Sequence, residues 1–350
     1  MLRLFVFATC LLLAACGAGK DVRTGPDLEV ILNDRAAAQL SDYRLFTQLA
    51  AAKPAPGVVP YDLINPLFSD HALKTRYVFV PEGETARYSE TDALDFPVGT
   101  VLVKTFSFAP DMRKPDTDRY KVETRLLIHK RDGWAAFPYV WNEAGTDAVY
   151  APAGKMTDIS FTDPAGEPLT IRYAVPNKNQ CKTCHQSGDA VLPIGPKARN
   201  LNHDGPSGLN QLTDWQTRGI LDGVPARPPA VPDVWDVSLP IEGRARAYLD
   251  INCAHCHKAD GSASNSGLFL DWNEQTPVTY GMGKHPTAAG RGSGGRRIVI
   301  DPGHPETSIL TFRMASDEAG IAMPELGRSV VDERGLAIVN EWIASLEPAQ

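Results

Sequence analysis

Cys181-Lys182-Thr183-Cys184-His185 and Cys253-Ala254-His255-Cys256-His257 are the two stretches on which the reading of this chain turns. Both are C-x-x-C-H. At this spacing two thiols bond the vinyl groups of a porphyrin, and the next imidazole lies beneath the ring as proximal iron ligand. The expectation is two covalently bound haem c groups, one held by Cys181, Cys184 and His185, the other by Cys253, Cys256 and His257. The alternatives are a Cys/His zinc site, since C-x-x-C also opens zinc ribbons, or a pair of disulfides, which do not require the following histidine. Six cysteines are present and the motifs use four of them. The other two, Cys10 and Cys16, lie in or at the end of an N-terminal apolar segment, so none is spare.

That segment indicates where the chain goes. Met1-Leu2-Arg3 is a short positive start, and residues 4–13 are an apolar run too short to span a bilayer. It ends in Leu13-Ala14-Ala15-Cys16-Gly17, which reads as a bacterial lipobox. Residues 1–15 are then a lipoprotein signal peptide and Cys16 is the lipidation site. The alternative is an ordinary secretory signal with Cys16 incidental. Several acyl chains anchor more firmly than one, and Gly17 after the cysteine favours the outer membrane, facing the periplasm, by analogy with Gram-negative lipoproteins. No later segment approaches 18 consecutive apolar residues. Export agrees with haem attachment, which in bacteria happens outside the cytoplasm. The chain is 43% hydrophobic with a formal net charge of −7. That allows a sizeable core and gives no sign of nucleic-acid binding; the expected partners are redox proteins that donate and accept electrons.

Residues 16–57 read as a tether followed by a short helix, from the three-residue spacing of Leu40, Tyr43, Phe46 and Leu49. Residues 58–175 change character. β-rich runs at 76–80, 98–108, 120–129, 134–141 and 169–175 are separated by turn residues. They predict a β-rich domain of unassigned role. Residues 176–223 carry the first haem motif, with a helix expected over 209–222. Residues 224–240 are a Pro-rich linker. In residues 241–350, Ala245, Tyr248, Leu249 and Asn252 place the second motif at the end of a first helix. Leu336, Val339, Trp342, Ile343 and Leu346 mark a last, amphipathic helix. The fold class expected is α+β: an N-terminal β-rich domain, then haem-binding helical segments, the last a cytochrome c-like all-α domain.

The second haem has a sharp candidate for its other axial ligand. Met323-Pro324 follows the proximal histidine at loop-like distance and precedes the last helix, and a thioether favours ferrous iron. Met314 is the rival, and core packing is the plain alternative for either. The first haem is open at this stage. His203 is the nearest downstream histidine, His71, His129, Met112 and Met156 are candidates from the β-rich region, and an open position is the remaining choice. His255 is read as a surface or haem-edge residue. The run Gly290-Arg291-Gly292-Ser293-Gly294-Gly295-Arg296-Arg297 is read as a loop whose arginines meet a propionate or solvent.

With these pieces in hand the chain resembles a bacterial family of exported di-haem c-type cytochromes. The resemblance is carried by the two motifs, by Asn65-Pro66-Leu67-Phe68-Ser69-Asp70, Phe96-Pro97-Val98-Gly99-Thr100 and Glu123-Thr124-Arg125-Leu126-Leu127, by residues 192–202, by Arg246-Ala247-Tyr248-Leu249-Asp250 and by Met323-Pro324. It implies electron transfer, and leaves a di-haem peroxidase or oxidase, or a haem subunit of a larger periplasmic dehydrogenase, as alternatives.

Overall fold

The computed structural model describes residues 25–348. The signal peptide and Cys16 lie outside the described residues. Helix α1 (Leu28–Leu32) is the first element among the described residues, its first amides capped by the Asp27 carboxylate. Where a helix was expected next there is a 3-10 turn, Leu40–Tyr43, and then a hairpin of β1 (Phe46–Gln48) and β2 (Lys53–Pro54). Arg44, in the left-handed region at φ 54, breaks the helical run between them.

The main body is a six-stranded antiparallel sheet in the order β3 (Val58–Tyr61), β4 (Leu73–Phe79), β6 (Val101–Phe108), β7 (Tyr120–Lys130), β8 (Gly133–Trp141) and β9 (Ala148–Tyr150). A short strand, β5 (Ala86–Arg87), falls outside it. Successive side chains face opposite ways along each strand. Val101, Val103, Leu126 and Ile128 therefore pack with Tyr77, Phe137 and Tyr139 on one face. Val78, Leu102 and Leu127 pack with Leu201 and Trp215 on the other. A separate hairpin, β10 (Lys155–Thr162) with β11 (Pro168–Val175), closes the end near Phe106 and Phe108.

After the sheet come α2 (Lys178–His185), a two-stranded turn of β12 (Gln186–Ser187) and β13 (Ala190–Val191), then α3 (Ala198–Leu201) and α4 (Gln211–Thr217). Strand β14 (Leu221–Asp222) returns to pair in parallel with β5. Residues 224–240 form no regular element, yet Val231 and Val234 are buried and the Asn65 side chain bridges Pro232 O and Val234 N at 2.8 and 3.0 Å. The chain ends with α5 (Ile241–Asn252), α6 (Ile309–Met314) and α7 (Glu333–Ser345).

This corrects the expected fold class. About 21% of the described residues are helical and 25% are in strands, the largest element is the antiparallel sheet, and no cytochrome-like all-α C-terminal domain is evident. Between α5 and α6 the chain runs through turns and short 3-10 pieces. The reason is local: Gly281, Gly283, Gly294, Gly295 and Gly303 all take positive φ there, which an α-helix does not accommodate.

Candidate functional site

Both motifs ride on helix ends. Asn177 caps α2: its side chain accepts from Gln180 N, and the Gln180 side chain accepts from Asn177 N, each at 2.9 Å. One turn then puts Cys181, Cys184 and His185 on one side of the helix. The second motif continues α5 as a turn: Cys253 N and His257 N donate to Leu249 O and Cys253 O at 2.9 and 3.0 Å. The four cysteines are free thiols.

Each motif opens into its own cavity, and the cavities are neighbours. The first, about 210 Å³, is bounded by Cys181, Cys184 and His185 and floored by the sheet residues Arg76, Leu102, Lys104 and Arg125. The second, about 410 Å³, is bounded by Cys256, His257, Leu268 and Leu270. They share a wall that includes Cys184, Cys253, His255, Met314 and Met323. At this wall Cys184 stands beside Cys256, and their proximity raises the Cys184 thiol and lowers that of Cys256. Burial pushes Cys253 up to about 12. The wall keeps charge off these sulfurs, Cys256 excepted.

The two motif histidines are alike. His185 Nδ1 donates to Leu192 O at 2.7 Å, and desolvation pushes its imidazole down to about 4. His257 Nδ1 donates to Ser266 Oγ at 3.3 Å, and burial lowers its pKa as well. Ser266 Oγ in turn donates to Ala263 O at 2.7 Å, so it is free to accept. In each ring the proton sits on Nδ1 and the lone pair on Nε2, the tautomer a metal ligand needs.

Met323 and Met314 both line the shared wall but differ in support. Met314 lies on α6 within the core. Met323 is in a loop, pinned by its backbone: its amide donates to Arg313 O at 3.0 Å and its carbonyl accepts from Arg328 Nη2 at 2.8 Å. Its side chain lines both cavities.

None of the five side chains named for the first haem reaches its cavity. His203 uses Nδ1 on Asp204 O and meets Gln211 Nε2 with its other nitrogen. His129 stacks on Trp134 at 4.7 Å. His71 packs against Phe68 and Phe161. Met112 is buried beside the aromatic end of the sheet and Met156 is half exposed on β10. His255, read from sequence as peripheral, instead lines both cavities with its Nδ1 buried and unpartnered. The glycine-arginine run lines neither: Arg291 pairs with Glu318 at 2.8 Å and Arg296 lies 4.1 Å over the Phe312 ring.

No family model, curated protein or solved structure matches this chain. The site therefore speaks through its own chemistry. Among the described residues no three His, Cys, Asp or Glu side chains gather to hold a bare metal ion. What the site offers a haem is a fitting donor set: paired thiols beside apolar space, with a neutral, oriented imidazole at each motif.

Proposed function

We propose that this chain is an exported redox protein that carries haem c at both motifs and passes electrons between redox partner proteins. Cys16 would tether it by lipid on the periplasmic side of the outer membrane. One observation carries the reading: two C-x-x-C-H motifs 72 positions apart in sequence, from Cys181 to Cys253, meet where Cys184 and Cys256 line one cavity. Bound there, the two groups would supply one-electron iron chemistry.

The protein's own part is to bind, orient and insulate. Cys181, Cys184, Cys253 and Cys256 supply the covalent bonds. Leu192 O and Ser266 Oγ fix the ring planes of His185 and His257. Met323 offers a thioether to the second site, from a loop its backbone holds in place. Leu268 and Leu270 keep water from the second cavity, and a dry, rigid surround limits reorganisation as charge comes and goes.

The test is the mass and spectrum of protein matured in a strain competent for haem c attachment. The expected result is apoprotein plus two haems, with a c-type reduced spectrum. Protein that emerges with free thiols and no haem would sink the reading. Electron paramagnetic resonance separates the carrier from a peroxidase or oxidase: two low-spin irons belong to a carrier, and one high-spin iron that binds cyanide belongs to the enzyme.

A further inference from the structure

Arg76, Lys104 and Arg125 are direct neighbours across three adjacent strands. Arg76 pairs in register with Lys104, and Lys104 with Arg125. All three therefore point to the same face, the one that floors the first cavity. The row beside them on that face is apolar, Val78, Leu102 and Leu127. Like charges side by side on a sheet repel, and burial sharpens the cost.

The compensation is uneven along the row. Arg125, at the Cys181 end, is held by the fully buried Glu123 through two hydrogen bonds of 2.6 and 2.8 Å. Arg76, only 4% exposed, has one contact with the exposed Asp62, and its Nη2 has no partner. Lys104 has no carboxylate in bonding distance among the described residues; its ammonium rests 4.8 Å over the Phe106 ring. Burial, with Arg76, Lys74 and Arg125 nearby, drives its pKa well down. The uncompensated end of the row thus lies one to two strand spacings, about 5–10 Å, from the end held by Glu123.

We propose that Lys104 and Arg76 form a carboxylate-binding site in the first cavity, filled by the propionates of the haem bonded to Cys181 and Cys184. This rests on the haem reading above. A porphyrin tied through its vinyl edge to the cysteines carries both propionates on the opposite edge. The row runs from beside Cys181, through Arg125, to its uncompensated end at Lys104 and Arg76. Two carboxylates there would satisfy the free Nη2 and restore the charge of Lys104, each through charge-assisted hydrogen bonds. A small dicarboxylate from outside has the same chemistry, so the experiment must tell the sources apart.

Holoprotein of wild type, Lys104→Met and Arg76→Met is titrated spectroelectrochemically. Methionine keeps the apolar stem and removes the charge. Either substitution leaves a propionate uncompensated, so one haem becomes harder to reduce, by about tenfold in its reduction equilibrium constant, while the other stays put. Lys104→Met removes only a desolvated charge and should fold even where Arg76→Met does not. Two unchanged midpoints in Lys104→Met, with both haems present by mass, would overturn this site and leave the haem reading intact. The wild type is also titrated with malonate. No saturable change is expected; a saturable shift that Lys104→Met abolishes would assign the site to an external anion and overturn the propionate assignment. Absence of haem by mass would overturn both.

Discussion

At the scale of single residues, two methionines on one wall carry different loads. Met314 is 6% exposed in the core, so Met314→Ala leaves a cavity and should cost about 2–5 kcal/mol of stability. Met323 sits in a loop held by its backbone, so Met323→Ala should leave the melting temperature nearly unchanged. Under the haem reading proposed above, its effect belongs to the iron. The ferric charge-transfer band of thioether ligation should vanish and the midpoint of one haem should fall, because the thioether favours ferrous iron. Thermal melts and oxidised spectra of the two variants check this as a crossed pair. A Met314→Ala protein that loses the band while Met323→Ala keeps it would exchange their roles.

At the scale of elements, α7 lies so close to α5 that Gly335 cannot carry a side chain. A Cβ there would stand 2.2 Å from the Tyr248 ring, and the Tyr248 hydroxyl is already fixed on Asp332 at 2.9 Å. Gly335→Ala must push the helices apart and should cost about 1–3 kcal/mol, read as a lower unfolding midpoint. Gly335→Ala with Tyr248→Phe should recover little, since the ring itself is in the way. That contact was half legible in the sequence: Val339, Trp342 and Ile343 announced the buried stripe of α7, and no pattern announced that its glycine faces Tyr248. The same divide holds elsewhere. Strands β4, β6, β7, β8 and β11 lie where β-rich runs between turn residues placed them, because a strand buried on both faces shows as a short apolar, β-branched and aromatic run bounded by turns. Leu40 to Leu49 imitated a helix, because three-residue spacing is shared by a 3-10 turn followed by a strand. The all-α ending failed because two helical stripes say nothing about the glycine-rich path between them. Arg76, Lys104 and Arg125 drew no reading from the sequence, since only strand pairing reveals that they share a buried row. The two C-x-x-C-H stretches stand out in the sequence by spacing alone; the meeting of Cys184 with Cys256 is long-range and left no mark.

At the scale of the whole molecule, distant segments are stitched around the site by buried polar groups. Asp250 on α5 takes Arg199 at 2.9 Å and Lys197 at 3.0 Å, and Phe68 N donates to Asn252 Oδ1 at 2.8 Å. Asp70 accepts from Ser329 Oγ and Val330 N at 3.0 and 3.1 Å. Asp250→Asn strands two buried cations and should cost about 3–5 kcal/mol. Burial alone would raise the Asp250 pKa, but Lys197 and Arg199 outweigh it and hold the carboxyl below its ordinary value. A depressed folded pKa contributes stability that is present above the unfolded value, about 3.9, and lost as pH falls through the folded one. Wild-type stability should therefore drop more steeply than that of Asp250→Asn below about pH 4, measured by denaturant unfolding at each pH. These stitches bring the two motifs to one wall, and the last prediction follows from that. Cys181→Ala/Cys184→Ala and Cys253→Ala/Cys256→Ala should each mature with a single haem. In the intact protein, oxidising one iron places a charge beside the other. Two unit charges about 10 Å apart in an effective dielectric of about 20 interact by about 1–2 kcal/mol, roughly tenfold in the reduction equilibrium. The midpoint of each lone haem should differ from its value in the pair by that amount. Midpoints that are the same alone and together would mean the two groups do not sense each other, and the relay drawn through Cys184 and Cys256 would fall.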